Sequence, residues 1–325
     1  MKTSLKSYLT LFLLVLVFSS CNTSSKKNEV IYKVSFVKGV SNNKIEILDF
    51  GGTGQPIIFL TGLGNSAHVF VDFAPKFTDK FHVYAMTRRG FGASEQTKHG
   101  YNVDTLAMDI LSVIKSLQLE KVILIGHSIA GDEISKFAST YPNELDKVVY
   151  LDAAYDRTNL MQLLGPFMNL FPVPNSTDSL SLKNLKDFAL RTLGVVMPDD
   201  EFKNTCIFTK EGKFQKDVTP SEIQGQIIGG IERPNYKNIS CAALSIYAIA
   251  TSVKSIFPFY DSLNTEDKKR ADTCFSIFEN HSKKQIQIFK TEVSKGLTKE
   301  ILGAHHYTFI SHPKETENLI REFIK

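Results

Sequence analysis

A serine hydroxyl attacks a carbonyl only when the chain lifts it clear of its neighbours, a base takes its proton and N–H dipoles receive the oxyanion. The stretch Gly126-His127-Ser128-Ile129-Ala130-Gly131 is suited to the first demand. Residues 122–125 form a continuous apolar run of the kind found in a strand buried on both faces, and Gly126 ends it. Ile134, Phe137, Ala138 and Tyr141 then recur at helical spacing. So tight a turn between strand and helix needs small residues, here Gly126, Ala130 and Gly131. It presents Ser128 as the candidate nucleophile at the positive end of the helix. The plainer alternative is close packing of strand on helix, with no chemistry.

A second motif, Thr61-Gly62-Leu63-Gly64-Asn65-Ser66-Ala67, follows an apolar strand at 57–60 and has two readings. As G-x-G-x-x-A after a strand it matches a dinucleotide turn, with Arg88 and Arg89 beyond the next strand placed for the 2′-phosphate of NADP. As an oxyanion loop it offers the backbone N–H of Leu63, which joins that of Ile129 in facing a substrate carbonyl. The second reading is preferred, because a dinucleotide fold leaves no role for the turn at Ser128.

The elements that must position these residues begin after a leader. Lys2 and Lys6 precede an apolar run at 9–18, too short to span a membrane, so residues 1–20 read as an export signal. Phe-Ser-Ser-Cys at 18–21 resembles a bacterial lipobox, with Phe18 where Leu is more usual. That resemblance implies a lipid on Cys21, a polar tether at 21–30 and a membrane-anchored protein facing away from the cytoplasm. The alternative is ordinary cleavage nearby, a secreted chain, and Cys21 as a free or bridged thiol.

Roughly 300 residues remain, enough for one large α/β domain with an insertion. The chain is 42% hydrophobic, and its net charge of +4 comes from 38 Lys and Arg against 34 Asp and Glu, mixed without a long basic run. Nucleic acid is therefore not expected as a partner. Cys206, Cys241 and Cys274 show no C-x-x-C pair, so no metal site is expected; one bridge among them would suit an oxidising compartment.

Strands are expected at 32–37, 44–50, 57–60 and 81–86, an amphipathic helix at 68–80, and another carrying Leu106, Ile110, Val113, Ile114 and Leu117 on one face. Thr-Gly-Leu-Gly at 61–64, Arg-Arg-Gly-Phe-Gly-Ala-Ser at 88–94 and Gly-His-Ser-Ile-Ala-Gly at 126–131 occur in that order. Together they resemble the α/β-hydrolase superfamily. The resemblance implies a mostly parallel, doubly wound sheet over 31–156 and 239–325, with an inserted helical cap at 157–238. Thr61 stands where many members carry His.

The same resemblance places a catalytic histidine after the last strand, expected at 299–302, and before a C-terminal helix at 313–325. His306 fits best, ahead of His305 and His312. The acid belongs after the strand at 148–151 or after the one at 242–248. Only the first position carries a carboxylate, Asp152, with Asp156 and Asp261 as substitutes; a local turn cap is the other reading of Asp152. Leu163, Phe167, Leu170 and Phe171 of the cap are candidate pocket residues, or else internal packing. The implied activity is cofactor-free, metal-free cleavage of a carboxylic ester or related acyl bond in a small-molecule substrate. An NADP oxidoreductase and a non-catalytic tethered binding protein of the same fold are the alternatives.

Overall fold

Six segments become the inner strands of one sheet, because only a sheet covered on both sides buries both faces of a run such as Val122–His127. The computed structural model describes residues 32–325; the expected signal, Cys21 and the tether lie outside these residues. Strands β1 (Lys33–Lys38), β2 (Lys44–Gly51), β3 (Pro56–Leu60) and β4 (His82–Met86) come first. Helix α1 (Val103–Ser116), β5 (Val122–His127), α2 (Ala130–Thr140) and β6 (Leu145–Leu151) follow. The order across the sheet is β1-β2-β4-β3-β5-β6, continued by β9 (Ala242–Ile249) and β10 (Gly296–Leu302). Only the β1–β2 and β2–β4 pairings are antiparallel. This is the α/β-hydrolase fold.

One sheet face, with Ile58, Leu124, Val148 and Ala243, packs on α1, α2 and the C-terminal part of α7 (Thr265–Glu292). The other face, with Phe59, Ile125, Val149 and Ile246, meets Phe70, Phe73 and Phe77 and the C-terminal helix. That end of the chain is split into α8 (Thr308–Ser311) and α9 (Pro313–Ile324).

Three local expectations change. Residues 68–80 do not form an amphipathic α-helix: they fold as two short 3-10 turns, Ala67–Phe70 and Ala74–Phe77. Pro75 has no N–H for a helical ladder, and Phe70, Phe73 and Phe77 bury their rings by clustering with Phe59. The last strand, expected at 299–302, begins earlier, at Gly296, shortly after the end of the 28-residue α7. The three cysteines in the described residues, Cys206, Cys241 and Cys274, are free.

Between β6 and β9 lie α3 (Leu160–Leu164), α4 (Leu182–Leu193), α5 (Asp199–Thr205) and α6 (Ser221–Gly229). The insertion is not purely helical, since β7 (Cys206–Phe208) and β8 (Phe214–Asp217) form a separate antiparallel hairpin.

Register determines what meets at the carboxyl edge of the sheet. His127 pairs with Leu151, so Ser128 and Asp152 are the next residues of neighbouring strands. Leu60 pairs with Gly126, which sets Thr61-Gly62 beside the same edge. Leu302 pairs with Ile249, and the chain leaves β10 at Gly303 toward the histidine loop.

Candidate active site

Ser128 has φ of +55°, a left-handed conformation that costs a non-glycine residue energy. Its surroundings over-determine that conformation. The Ser128 amide donates to Leu151 O at 3.2 Å, and a Cβ on Gly131 would lie 1.9 Å from Ala153 O. A Cβ on Gly126 would lie 2.4 Å from Ile134 Cδ1. At the intervening position a methyl group fits, so Ala130 replaces the usual small residue without opening the turn.

The strand ends bring three of the expected residues together. Ser128 Oγ lies 2.9 Å from His306 Nε2, and His306 Nδ1 lies 2.6 Å from Asp152 Oδ2. Since the carboxylate can only accept, Nδ1 carries the proton and Nε2 faces Ser128 as an acceptor. Asp152 also has positive φ, +45°. Its Oδ1 accepts from the Tyr155 hydroxyl at 2.6 Å and from the Ala248 amide at 3.1 Å.

The substitutes lie elsewhere. Asp156 accepts from the Thr158 amide and hydroxyl as a turn cap, and exposed Asp261 pairs with Lys254. His305 stacks on Tyr307, at 5.7 Å and 10° between ring planes, and its Nδ1 accepts from the Tyr307 amide. Burial lowers the His305 pKa to about 4, so the ring is neutral at neutral pH. His312 bonds its neighbour Ser311.

Leu63 and Ile129 pack into one cluster with Phe91 and Tyr101. Among the backbone hydrogen bonds of the described loops, none is donated by the Leu63 or Ile129 amide. Arg88 fastens this loop from below. Its guanidinium donates to Thr61 O at 2.6 Å and Gly62 O at 3.1 Å, and it pairs with Glu133 of α2. Arg89 is fully buried against Asp109 of α1. Both arginines read as phosphate contacts in the NADP alternative are thus consumed inside the protein, and the loop at Gly62 leads into the 3-10 turn Ala67–Phe70 rather than an α-helix. That alternative loses its anion-binding residues.

Several groups that shape the site were missed. Glu201 on α5 reaches in from the insertion: its Oε2 accepts from Ser66 Oγ at 2.6 Å, and its Oε1 from the Asn65 side chain at 2.9 Å and the Ser66 amide at 3.0 Å. Asn65 Oδ1 in turn accepts from the Tyr307 hydroxyl at 3.0 Å. Burial pushes the Glu201 carboxyl up to about 7, against the lowering pull of those hydrogen bonds. His127 is fully buried, held neutral by that burial, and donates from Nε2 to His306 O at 3.1 Å. Arg157 donates to Ser128 O at 2.8 Å and to Asp132 Oδ2 at 2.9 Å. Only Tyr155 had a signal within reach of the sequence, a hydroxyl three residues beyond the acid.

Ser128, Asp152 and His306 face a cavity of about 570 Å³, within the range of roughly 300–1,000 Å³ typical of small-ligand sites. Phe167 and Phe171 line it as expected. Leu163 does not, and Leu170 packs instead with Phe257 and Cys274. Among the described residues, no group of three or more His, Cys, Asp or Glu side chains could hold a metal ion, and no helix is long and apolar enough to cross a membrane.

A family model described as the alpha/beta hydrolase fold matches residues 55–191. The 2-(acetamidomethylene)succinate hydrolase of Mesorhizobium japonicum is 29% identical over 119 residues, which is 36% of this chain and 43% of that protein. The AB hydrolase superfamily protein YisY of Bacillus subtilis is 36% identical over 107 residues, 32% of this chain and 39% of that protein. The chain thus matches about two fifths of the length of these relatives. Among solved structures, a membrane phospholipase A has a TM-score of 0.61 at 15% identity, covering 90% of this chain and 86% of that one. At that identity the likeness is one of fold.

Proposed function

We propose that this protein is a serine hydrolase that cleaves a carboxylic ester through an acyl-enzyme. One observation carries the reading: a single line of contacts runs from Ser128 Oγ through both ring nitrogens of His306 to Asp152. Ser128 Oγ forms a bond to the acyl carbon while its proton passes to His306 Nε2, and the electron pair of the carbonyl moves onto oxygen. The amides of Leu63 and Ile129 receive that oxyanion. The bond to the leaving alcohol then breaks and His306 returns the proton to it. Water repeats the sequence on the acyl-enzyme, releasing the acid and restoring Ser128. Asp152 accepts Nδ1–H and stabilises the imidazolium without taking the proton.

A relative named 2-(acetamidomethylene)succinate hydrolase supports hydrolysis as the reaction class. A fluorophosphonate probe tests the reading. It should label wild type at Ser128, while Ser128→Ala takes no label, hydrolyses no p-nitrophenyl ester and melts at the wild-type temperature. An unlabelled wild type would favour the non-catalytic binding protein. Export and anchoring through Cys21 belong to the same proposal, and the intact mass of the native protein, with or without added acyl groups, decides that part.

A further inference from the structure

The wall of the cavity carries information about charge. Leu160, Leu164, Met168, Leu193, Ile256 and Phe278 join the two lining phenylalanines to make most of it apolar. The polar lining groups outside the triad are nearly all occupied. The Tyr155 hydroxyl is spent on Asp152, and Ser255 Oγ accepts from the Thr251 and Ser252 amides. Arg157 is the one permanent cation among the lining residues, and its terminal nitrogens already serve Asp132 Oδ2 and the carbonyls of Ser128, Ala153 and Tyr155. His305 is neutral, and burial lowers the His281 pKa too. His281 Nε2 is buried without a hydrogen-bond partner and adds no charge to the wall.

Resting on the hydrolase reading, we infer that this cavity takes an uncharged ester bearing an apolar chain of several carbons on one side of the scissile bond, and that it rejects a chain ending in a carboxylate. A carboxylate there would leave water with no free cation to meet it, a desolvation that ion pairing alone could repay. An alkyl chain instead covers apolar wall that is otherwise wetted. Met168 and Leu193 are 53% and 40% exposed while also lining the cavity, so the apolar surface continues to its mouth.

Two matched ester series test this, p-nitrophenyl alkanoates and alkyl acetates, each from two to ten carbons, with ω-carboxylate counterparts of equal length. In at least one series kcat/KM should rise by up to about fourfold per added methylene, the rate equivalent of burying one CH₂ group, until the cavity fills. The ω-carboxylate partner should fall below its methyl-ended twin by at least about a hundredfold. Leu164→Lys, which adds a free cation to the wall, should narrow that gap. An enzyme labelled at Ser128 but flat with chain length in both series, or as fast on the carboxylate-ended esters, overturns the inference and leaves the hydrolase reading standing. Absence of both labelling and turnover overturns the hydrolase reading itself.

Discussion

Asp152 is bonded at both oxygens, and the two sides are separable by substitution. Tyr155→Phe removes the hydroxyl from Oδ1 yet keeps the Ala248 amide there. A hydrogen bond to a charged acceptor is worth about 1.5–3 kcal/mol, so kcat should drop roughly ten- to a hundredfold with KM near wild type in steady-state assays. A change in KM alone would mean that the ring only packs. Asp152→Asn should cost kcat up to about 10⁴-fold, whereas Asp156→Asn, whose carboxylate caps a turn, should be nearly silent. His306→Ala should abolish turnover. His305→Ala should lower it modestly, since that ring stacks on Tyr307. Ser128 is legible because strand, turn and helix announce it within a few residues. The places for His306 and Asp152 follow from the family resemblance, and the lack of any carboxylate directly after β9 chooses between the two places it offers the acid. The Tyr155 hydroxyl stands three residues beyond Asp152 in the sequence, but its contact needs the left-handed conformation of Asp152, which the residue types alone do not show.

At the scale of elements, the parallel strands were readable from their apolar runs, while the contact made by α5 was not. Glu201 lies 136 positions from Asn65, and nothing local in the sequence links a carboxylate in the insertion to a loop after β3. The bond has a pH signature. The Glu201 carboxyl is pushed up to about 7 by burial, with Glu46 adding to the rise. A carboxyl raised above its unfolded value of about 4.3 favours the folded state when protonated. Its contribution is therefore fully present below about pH 4 and lost as pH rises through about 7. Glu201→Gln should remove this part of the decline, so that melting temperature falls less between pH 5 and 8 than in wild type. The buried carboxyls of Asp132 and Glu133 are also raised, and their share should persist in the variant. Parallel pH curves for the two proteins would show that Glu201 does not titrate in this range.

For the molecule as a whole, stability rests on two packed sheet faces and on buried ion pairs, with Cys206, Cys241 and Cys274 free. Dithiothreitol should accordingly leave the melting temperature unchanged. The insertion departs from β6 and rejoins the sheet at β9, and these two strands are direct neighbours. The two strands run parallel with Leu151 opposite Ile246, so the chain leaves β6 at Leu151 and re-enters β9 at Ala242, four residues or roughly 13 Å back along the sheet, while the groups proposed for chemistry sit on Ser128, Asp152 and His306, outside the segment from α3 to α6. Such an arrangement makes the segment an exchangeable cassette. A foreign stretch of another length could be spliced between the same strands without stretching the frame, and it would carry in a new pocket wall over an old reaction. The splice would have to supply a side chain able to accept from Asn65 and Ser66 where Glu201 now does, and apolar groups in place of Ile223 and Ile227 against Phe91 and Ile129.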